Sequence, residues 1–170
     1  MDSISNLKVE TLIMKPSITH ELIVEVMDEI IRLRKQVLHP EGPVERVIYK
    51  NDNLKDSVHF VVRLNSKLIG TGSVFPEDES ESFSFNDWRI RGMAVDQNFR
   101  GQGLGQKIVS AIIEHVNSNS ILKSKGQIIW CNARIEALSL YQRFGFIAEK
   151  GEFIIPGSGP HRRLRLTLNP

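Results

Sequence analysis

The six residues Arg100-Gly101-Gln102-Gly103-Leu104-Gly105 constrain this chain more than any others, because they set glycines at alternate positions between an apolar run ending at Val95 and an amphipathic stretch. Glycine reaches left-handed backbone conformations without steric cost, so such a run can turn sharply and point several N–H groups at one anion. Leu104, Ile108, Ala111, Ile112 and Val116 recur at helical spacing, which predicts a helix starting inside the run and ending at the Asn117–Ser120 cluster. The start of a helix carries orphan amides and a partial positive charge, and Arg100 adds a fixed cation. A pyrophosphate suits that arrangement. Two other phosphate patterns fail on spacing: a nucleotide P-loop needs Lys and then Ser or Thr after its second glycine, where Gly105 is followed by Gln106-Lys107-Ile108. A dinucleotide fingerprint opened by Gly101 and Gly103 needs a glycine at position 106, which is Gln106. The plainer alternative is a surface turn that only caps the helix.

The rest of the pattern supplies a frame for that turn. Leu7 to Met14 reads as a strand, and Pro16-Ser17 as a break and cap before a long helix striped by Ile23, Val26, Ile30, Leu33 and Val37, which His39–Pro43 ends. The polar stretch to Asp56 reads as a loop of the kind that borders substrate sites. Val58–Val62 and Leu68–Phe75 form an expected hairpin across Asn65-Ser66-Lys67. An acidic loop, Pro76 to Ser84, then leads to a strand through Trp88–Val95, with Gly92 permitting a bulge. Gln127–Cys131 is a further strand, and Ala137, Leu140, Tyr141 and Phe144 mark a helix capped by Gly145 before a strand near Phe146. In the last strand Leu164, Leu166 and Leu168 alternate with Arg163, Arg165 and Thr167. The fold class is therefore α+β, a mixed and mostly antiparallel sheet flanked by helices, and 170 residues with 41% apolar content fit a single domain over 1–170.

Charge and cysteine content exclude several function classes. With 22 basic and 20 acidic residues the formal charge is +2, too balanced for a phosphate-backbone binder, so no nucleic-acid partner is expected. Cys131 is the single cysteine and no Cys/His cluster has zinc spacing, so neither disulfide nor metal is expected. The first residues lack a signal-peptide pattern and no apolar run reaches spanning length, which points to a soluble, cytoplasmic protein without a membrane partner.

Arg100–Gly105 resembles the Q/R-x-x-G-x-G/A acyl-CoA motif of the GNAT superfamily, and the flanks agree. Arg91–Asp96 is similar to the splayed strand before it, Leu104–Val116 to the helix after it, and Trp130–Phe146 to a later strand-helix-strand unit ending in Tyr-x-x-x-Gly-Phe. The resemblance runs from about Arg89 to Phe146, while the N-terminal half agrees in element order. It implies a GNAT-like fold and an N-acetyltransferase using acetyl-CoA as cosubstrate and a small-molecule or peptide amine as acceptor. It further implies that the backbone of Met93, Ala94 and Val95 holds the pantetheine arm. Amides of Arg100, Gly101, Gln102, Gly103, Leu104, Gly105 and Gln106 cradle the pyrophosphate, Asn132 touches the arm, and Tyr141 serves the departing thiolate as general acid.

A protonated amine cannot attack a thioester, so a base is also needed. Glu77, with Asp78 and Glu79, lies where related enzymes place that base, although such clusters are commonly solvated loop charges. Histidine as a residue type titrates near neutrality, which makes His59 and His161 further candidates, and Gly157-Ser158-Gly159-Pro160 offers a flexible approach to His161. Tyr141 on position alone reads as core. Cys131 reads as a buried small hydrophobe rather than an acyl-accepting nucleophile. The competing function is a non-catalytic acyl-CoA-binding or regulatory module, and the last strand suits a homodimer edge as well as one buried sheet face.

Overall fold

The computed structural model describes residues 9–13, 20–81, 83–118 and 126–168. The expected Pro16-Ser17 break and the Asn119-Ser120 end of the helix cluster lie outside them. In chain order the elements are β1 (Val9–Ile13), α1 (His20–Leu38), a 3-10 turn (Val44–Val47), β2 (Val58–Leu64), β3 (Lys67–Glu77) and β4 (Phe83–Val95). There follow a second 3-10 turn (Gln97–Phe99), α2 (Leu104–Ser118), β5 (Gln127–Arg134), a third 3-10 turn (Ile135–Ala137), α3 (Leu138–Gln142), β6 (Ile147–Ala148), β7 (Phe153–Ile155) and β8 (Gly159–Leu168). The expected mixed, mostly antiparallel sheet is present: β4–β5 is parallel, whereas β1–β2, β5–β8, β6–β8 and β7–β8 are antiparallel. Among the described residues no helix is long and apolar enough to cross a membrane.

Two compact units emerge, Met1–Ser73 with Gly92–Ile108, and Val74–Arg91 with Val109–Pro170. In the first, strands pair in the order β1-β2-β3-β4. The helical stripe of α1 buries Met27, Ile30 and Leu33 against Val61, Leu68 and Ala94, with Val26, Val37 and Leu38 packed at the margin. Each fully buried aliphatic side chain contributes about 1.5–3 kcal/mol. The first turn of α2 packs Ile108 over Gly70, where a Cβ would stand 3.3 Å from Ile108 Cδ1 and 3.4 Å from Val62 Cβ. A side chain at position 70 would therefore require Ile108 to give way by a few tenths of an ångström.

In the second unit the order is β3-β4-β5-β8-β6, with β7 also on β8. The rest of the α2 face, Val109, Ile112 and Val116, is fully buried, as are Ile129, Trp130 and Leu164 of the strands. Two expectations need correcting here. The acidic stretch is not a loop from Pro76 to Ser84: β3 continues through Pro76 to Glu77, and β4 already starts at Phe83. Proline and glutamate signal a break in sequence, but Glu77 is buried at 1% exposure because Arg89 of β4 neutralises it. Nor is Gly157–Pro160 a loose approach to His161. Pro156–Ser158 is the turn of a β7–β8 hairpin, in which Phe153 pairs with His161, Ile154 with Pro160 and Ile155 with Gly159.

Candidate functional site

In the first unit the chain leaves β4 through a sequence of local restraints that ends in open amides. Asp96 is buried, its N–H donates to Ile69 O at 2.8 Å, and its carboxylate accepts from Asn98 N at 3.0 Å and from Lys67 Nζ at 2.9 Å. The Lys67 ammonium and the Asn98 amide hold that carboxyl below its ordinary range. This caps the turn Gln97–Phe99, after which Arg100 is extended and its Nε donates to Val95 O at 3.3 Å. Gly101 and Gly103 then take left-handed φ values of +74° and +78°. A Cβ at Gly101 would meet nothing within 4 Å, so glycine is needed there for conformation and for an unobstructed backbone rather than for packing.

The first helical bond runs from Lys107 N to Gly103 O at 3.0 Å. Among the described residues no acceptor is bonded to the N–H groups of Gly101 through Gln106. Leu104 is buried to 1% exposure and anchors the turn, while Gly101, Gln102 and Gln106 are exposed. A consecutive set of amides without an acceptor at a helix start fits a diphosphate. Upstream, Ala94 points into the α1 core, which leaves Met93 and Val95 on the other face of β4. Gly92 has φ +64°, and a Cβ there would lie 2.5 Å from Arg34 Nε. The close approach of Arg34 and the turned backbone thus both require glycine immediately before Met93.

Arg34 belongs to a buried network that also contains His59. Arg34 donates to Asp52 Oδ1 and Oδ2 at 3.0 and 2.9 Å, to Val47 O at 3.1 Å and to Ser73 Oγ at 2.7 Å. Ser73 Oγ lies 2.7 Å from His59 Nδ1, and His59 Nε2 lies 2.9 Å from Asp52 O. A carbonyl can only accept, so Nε2 carries the proton and Nδ1 accepts from Ser73. Burial, and then the Arg34 charge, push the His59 pKa down. Fully buried and with both ring nitrogens engaged, His59 is a structural residue.

In the second unit Tyr141 is fixed by the way α3 ends. Phe146 N donates to Tyr141 O at 3.4 Å and Gly145 N to Gln142 O at 3.0 Å, with Gly145 at φ +85°. These are the two bonds of a Schellman cap, and its usual apolar contact is the edge-on pair Tyr141–Phe146 at 5.6 Å. The Tyr-x-x-x-Gly-Phe spacing is therefore the spacing of a helix exit. Burial, and secondarily Cys131, raise the Tyr141 phenol well above its ordinary pKa, so it is neutral at any working pH. Cys131 is itself buried at 2% exposure, and desolvation drives its thiol far above the ordinary range, which removes the thiolate a nucleophile needs.

The acidic candidates are all engaged. Glu77 Oε1 accepts from Arg89 Nη1 at 2.8 Å, and Glu77 O accepts from Trp130 Nε1 at 2.7 Å. Asp78 Oδ1 takes Ser80 N and Oγ at 2.9 and 2.6 Å. Glu79 is hydrogen-bonded by Arg165, which with Arg163 lowers its pKa. His161 is buried at 5% exposure and stacks on Phe153 at 6.1 Å; its Nδ1 lies 2.8 Å from Gly159 O, so Nδ1 carries a proton and donates to that carbonyl. Asn132 Oδ1 accepts from Arg163 Nε at 3.3 Å. Sequence reasoning passed over Arg89 and Arg163, whose guanidinium carbons lie 4.4 and 4.8 Å from the Trp130 ring. It also missed Asp87, whose carboxyl is raised by burial and by Asp78 and Glu79. A Trp flanked by one arginine from the preceding strand and another three strands on leaves no local pattern.

Among the described residues the parallel β4–β5 ladder comprises Asp87–Arg89 against Ile128–Trp130, and β5 continues to Arg134 paired on its β8 side. Comparison with known proteins agrees with this geometry. Residues 24–146 match the family described as Acetyltransferase (GNAT) family. The chain belongs to the GNAT acetyltransferase family. Its members use acyl-CoA, and the protein is an enzyme of that class. It is 32% identical over 143 residues, 84% of this chain and 92% of the relative, to an uncharacterised N-acetyltransferase, YitI, of Bacillus subtilis (strain 168). Among solved structures it is similar to Escherichia coli ElaA, with TM-score 0.75 and 19% identity across 94% of this chain and 98% of that one. An aminoglycoside 6'-N-acetyltransferase complexed with coenzyme A has TM-score 0.64 and 14% identity, covering 95% and 97% of the two chains. At those identities the structures speak for the fold alone.

Proposed function

We propose that residues 1–170 act as one N-acetyltransferase domain that moves an acetyl group from acetyl-CoA to a primary amine by direct attack on the thioester. The observation that carries this reading is the set of unbonded amides from Gly101 to Gln106, opened by two left-handed glycines at the start of α2. Those amides and Arg100 bind the diphosphate, the backbone of Met93, Ala94 and Val95 holds the pantetheine arm, and Asn132 adds a side-chain contact. Acetyl-CoA supplies an acyl carbon already activated by a thiol leaving group. Tyr141 keeps its proton until the sulfur gains charge, and donates a hydrogen bond to it as the carbon–sulfur bond breaks. An ordinary thiol has a pKa of about 8.5, below the raised phenol, so stabilisation of the thiolate precedes full proton transfer.

For the base, His161 is favoured over Glu77: among the described residues its Nε2 has no partner, whereas the Glu77 carboxylate is occupied by Arg89. Tyr141→Phe should lower kcat by about 100-fold while CoA affinity stays within about twofold; unchanged turnover rejects the general-acid role. His161→Gln should lower kcat/KM by about 100-fold while CoA affinity stays within about twofold. Acceptors are to be screened by thiol release across amino acids, polyamines, aminoglycosides and peptide N-termini. Binding of CoA with no release from any of them would favour the non-catalytic module.

A further inference from the structure

We infer that Arg163 is a positioning residue that holds the Asn132 amide in one orientation, with its NH2 group presented as a donor to a carbonyl of the acyl donor's arm. The inference rests on the preceding reading for where Asn132 acts, and goes beyond it in saying what aims the side chain. Asn132 and Arg163 are direct partners across the antiparallel β5–β8 ladder, so their side chains rise side by side from one face. Arg163 Nε stands 3.3 Å from Asn132 Oδ1. A guanidinium has no acceptor, so the oxygen must face it and the nitrogen must point away. Among the described residues Asn132 Nδ2 has no acceptor, which leaves two N–H donors unspent beside a half-buried strand.

Arg163 is itself held on two further sides. Its guanidinium lies 4.8 Å from the ring of Trp130, a fully buried indole fixed by the Nε1 bond to Glu77 O. Its Nη1 lies 3.4 Å from Glu79 Oε2, and Glu79 is tied in turn to Arg165. Ring and carboxylate fix the plane and the direction of the guanidinium, and that plane fixes the amide. The Glu79 carboxylate thus serves the orientation of Asn132 rather than proton removal. A lysine here would keep the charge and one donor but lose the planar fork.

The test measures CoA dissociation constants by calorimetry and acetyl-CoA KM and kcat by thiol release, for the wild type, Arg163→Met, Arg163→Lys, Asn132→Ala, Asn132→Asp and the double variant Arg163→Met/Asn132→Ala. All are first checked by thermal melting. Losing one neutral hydrogen bond predicts a Kd and KM about three- to tenfold higher for Arg163→Met, with kcat changed less than twofold and Arg163→Lys in between. Asn132→Asp keeps or strengthens the bond to Arg163 yet has no donor, so it should bind CoA as weakly as Asn132→Ala without melting earlier. The double variant should bind no worse than Asn132→Ala. Arg163→Met binding CoA like the wild type, or the two single losses adding in full, would overturn the inference while leaving the acetyltransferase reading intact. A wild-type protein that binds no CoA takes down both.

Discussion

Removing the Asp52 carboxylate is the sharpest stability test this chain offers, because it leaves a guanidinium with no exposure at all. Arg34 is 0% exposed and gives both Asp52 oxygens a hydrogen bond, at 3.0 and 2.9 Å, while its Nε already has no partner. In Asp52→Ala the cation keeps Val47 O, Ser73 Oγ and the Tyr49 ring 4.5 Å away, all neutral, and Tyr49 N loses its acceptor at 2.8 Å. Breaking a buried pair from one side costs about 3–5 kcal/mol. That is a large share of a typical folding free energy of about 5–15 kcal/mol. For a chain of this length it corresponds to a fall in Tm of roughly 6–20 °C. The double variant Arg34→Met/Asp52→Ala removes both charges and should be less destabilised than Asp52→Ala alone. Guanidinium chloride unfolding followed by tryptophan fluorescence gives the free energies. A loss under about 1 kcal/mol for Asp52→Ala, or a double variant as weak as the two single losses added, would refute the claim that Arg34 is a desolvated, singly neutralised charge.

Three further outcomes are expected. Acid should weaken the fold through His59: its folded pKa is depressed, so the unfolded chain takes up a proton near 6.5 while the folded one does not, and stability falls as pH drops below about 6.5. Half-buried His115, also lowered by burial, adds to that window; the difference between wild type and His59→Gln in urea titrations at pH 5 and 7.5 isolates His59, and parallel pH curves would contradict it. Gly145→Ala should cost about 1–2 kcal/mol from the left-handed φ alone, since the nearest atom to the new Cβ is Leu166 Cδ1 at an ordinary 3.6 Å, and kcat should fall more than CoA affinity as Tyr141 loosens. Native Cys131 should resist iodoacetamide for hours and react within minutes in denaturant, as read by intact mass; rapid native alkylation would mean the thiol is accessible.

What the sequence made legible was whatever is encoded locally. The helical stripe of α1, the Leu104–Val116 face and the β2–β3 hairpin across Asn65-Ser66 are periodic signals, and the elements form where the periodicity puts them. The glycine turn was legible for the same reason: conformation and spacing sit within a few residues. The misreadings were the places where a distant partner changes the meaning of a residue. Pro76 and Glu77 look like a break until Arg89, twelve positions on, accommodates the carboxylate inside the sheet. Gly157–Pro160 looks loose until Phe153–Ile155, too short to show alternation, pairs with it. Arg163 looked like the polar side of an amphipathic strand, and only the β5 register sets it against Asn132. The acidic residues taken together as base candidates separate by their partners, which no spacing rule contains.

The exit of α3 has a consequence for how such a chain can diverge. Tyr141 O accepts from the peptide N–H five residues later and the ring meets Phe146 edge-on, so the core burial of Tyr141 is joined by a restraint that depends on one left-handed residue and one aromatic neighbour. Packing can be rewritten by compensating changes at many positions; a restraint closed within six residues can be lost only at those residues. A phenol anchored in this way keeps its bearing while the sheet beneath it is resurfaced for a different acceptor.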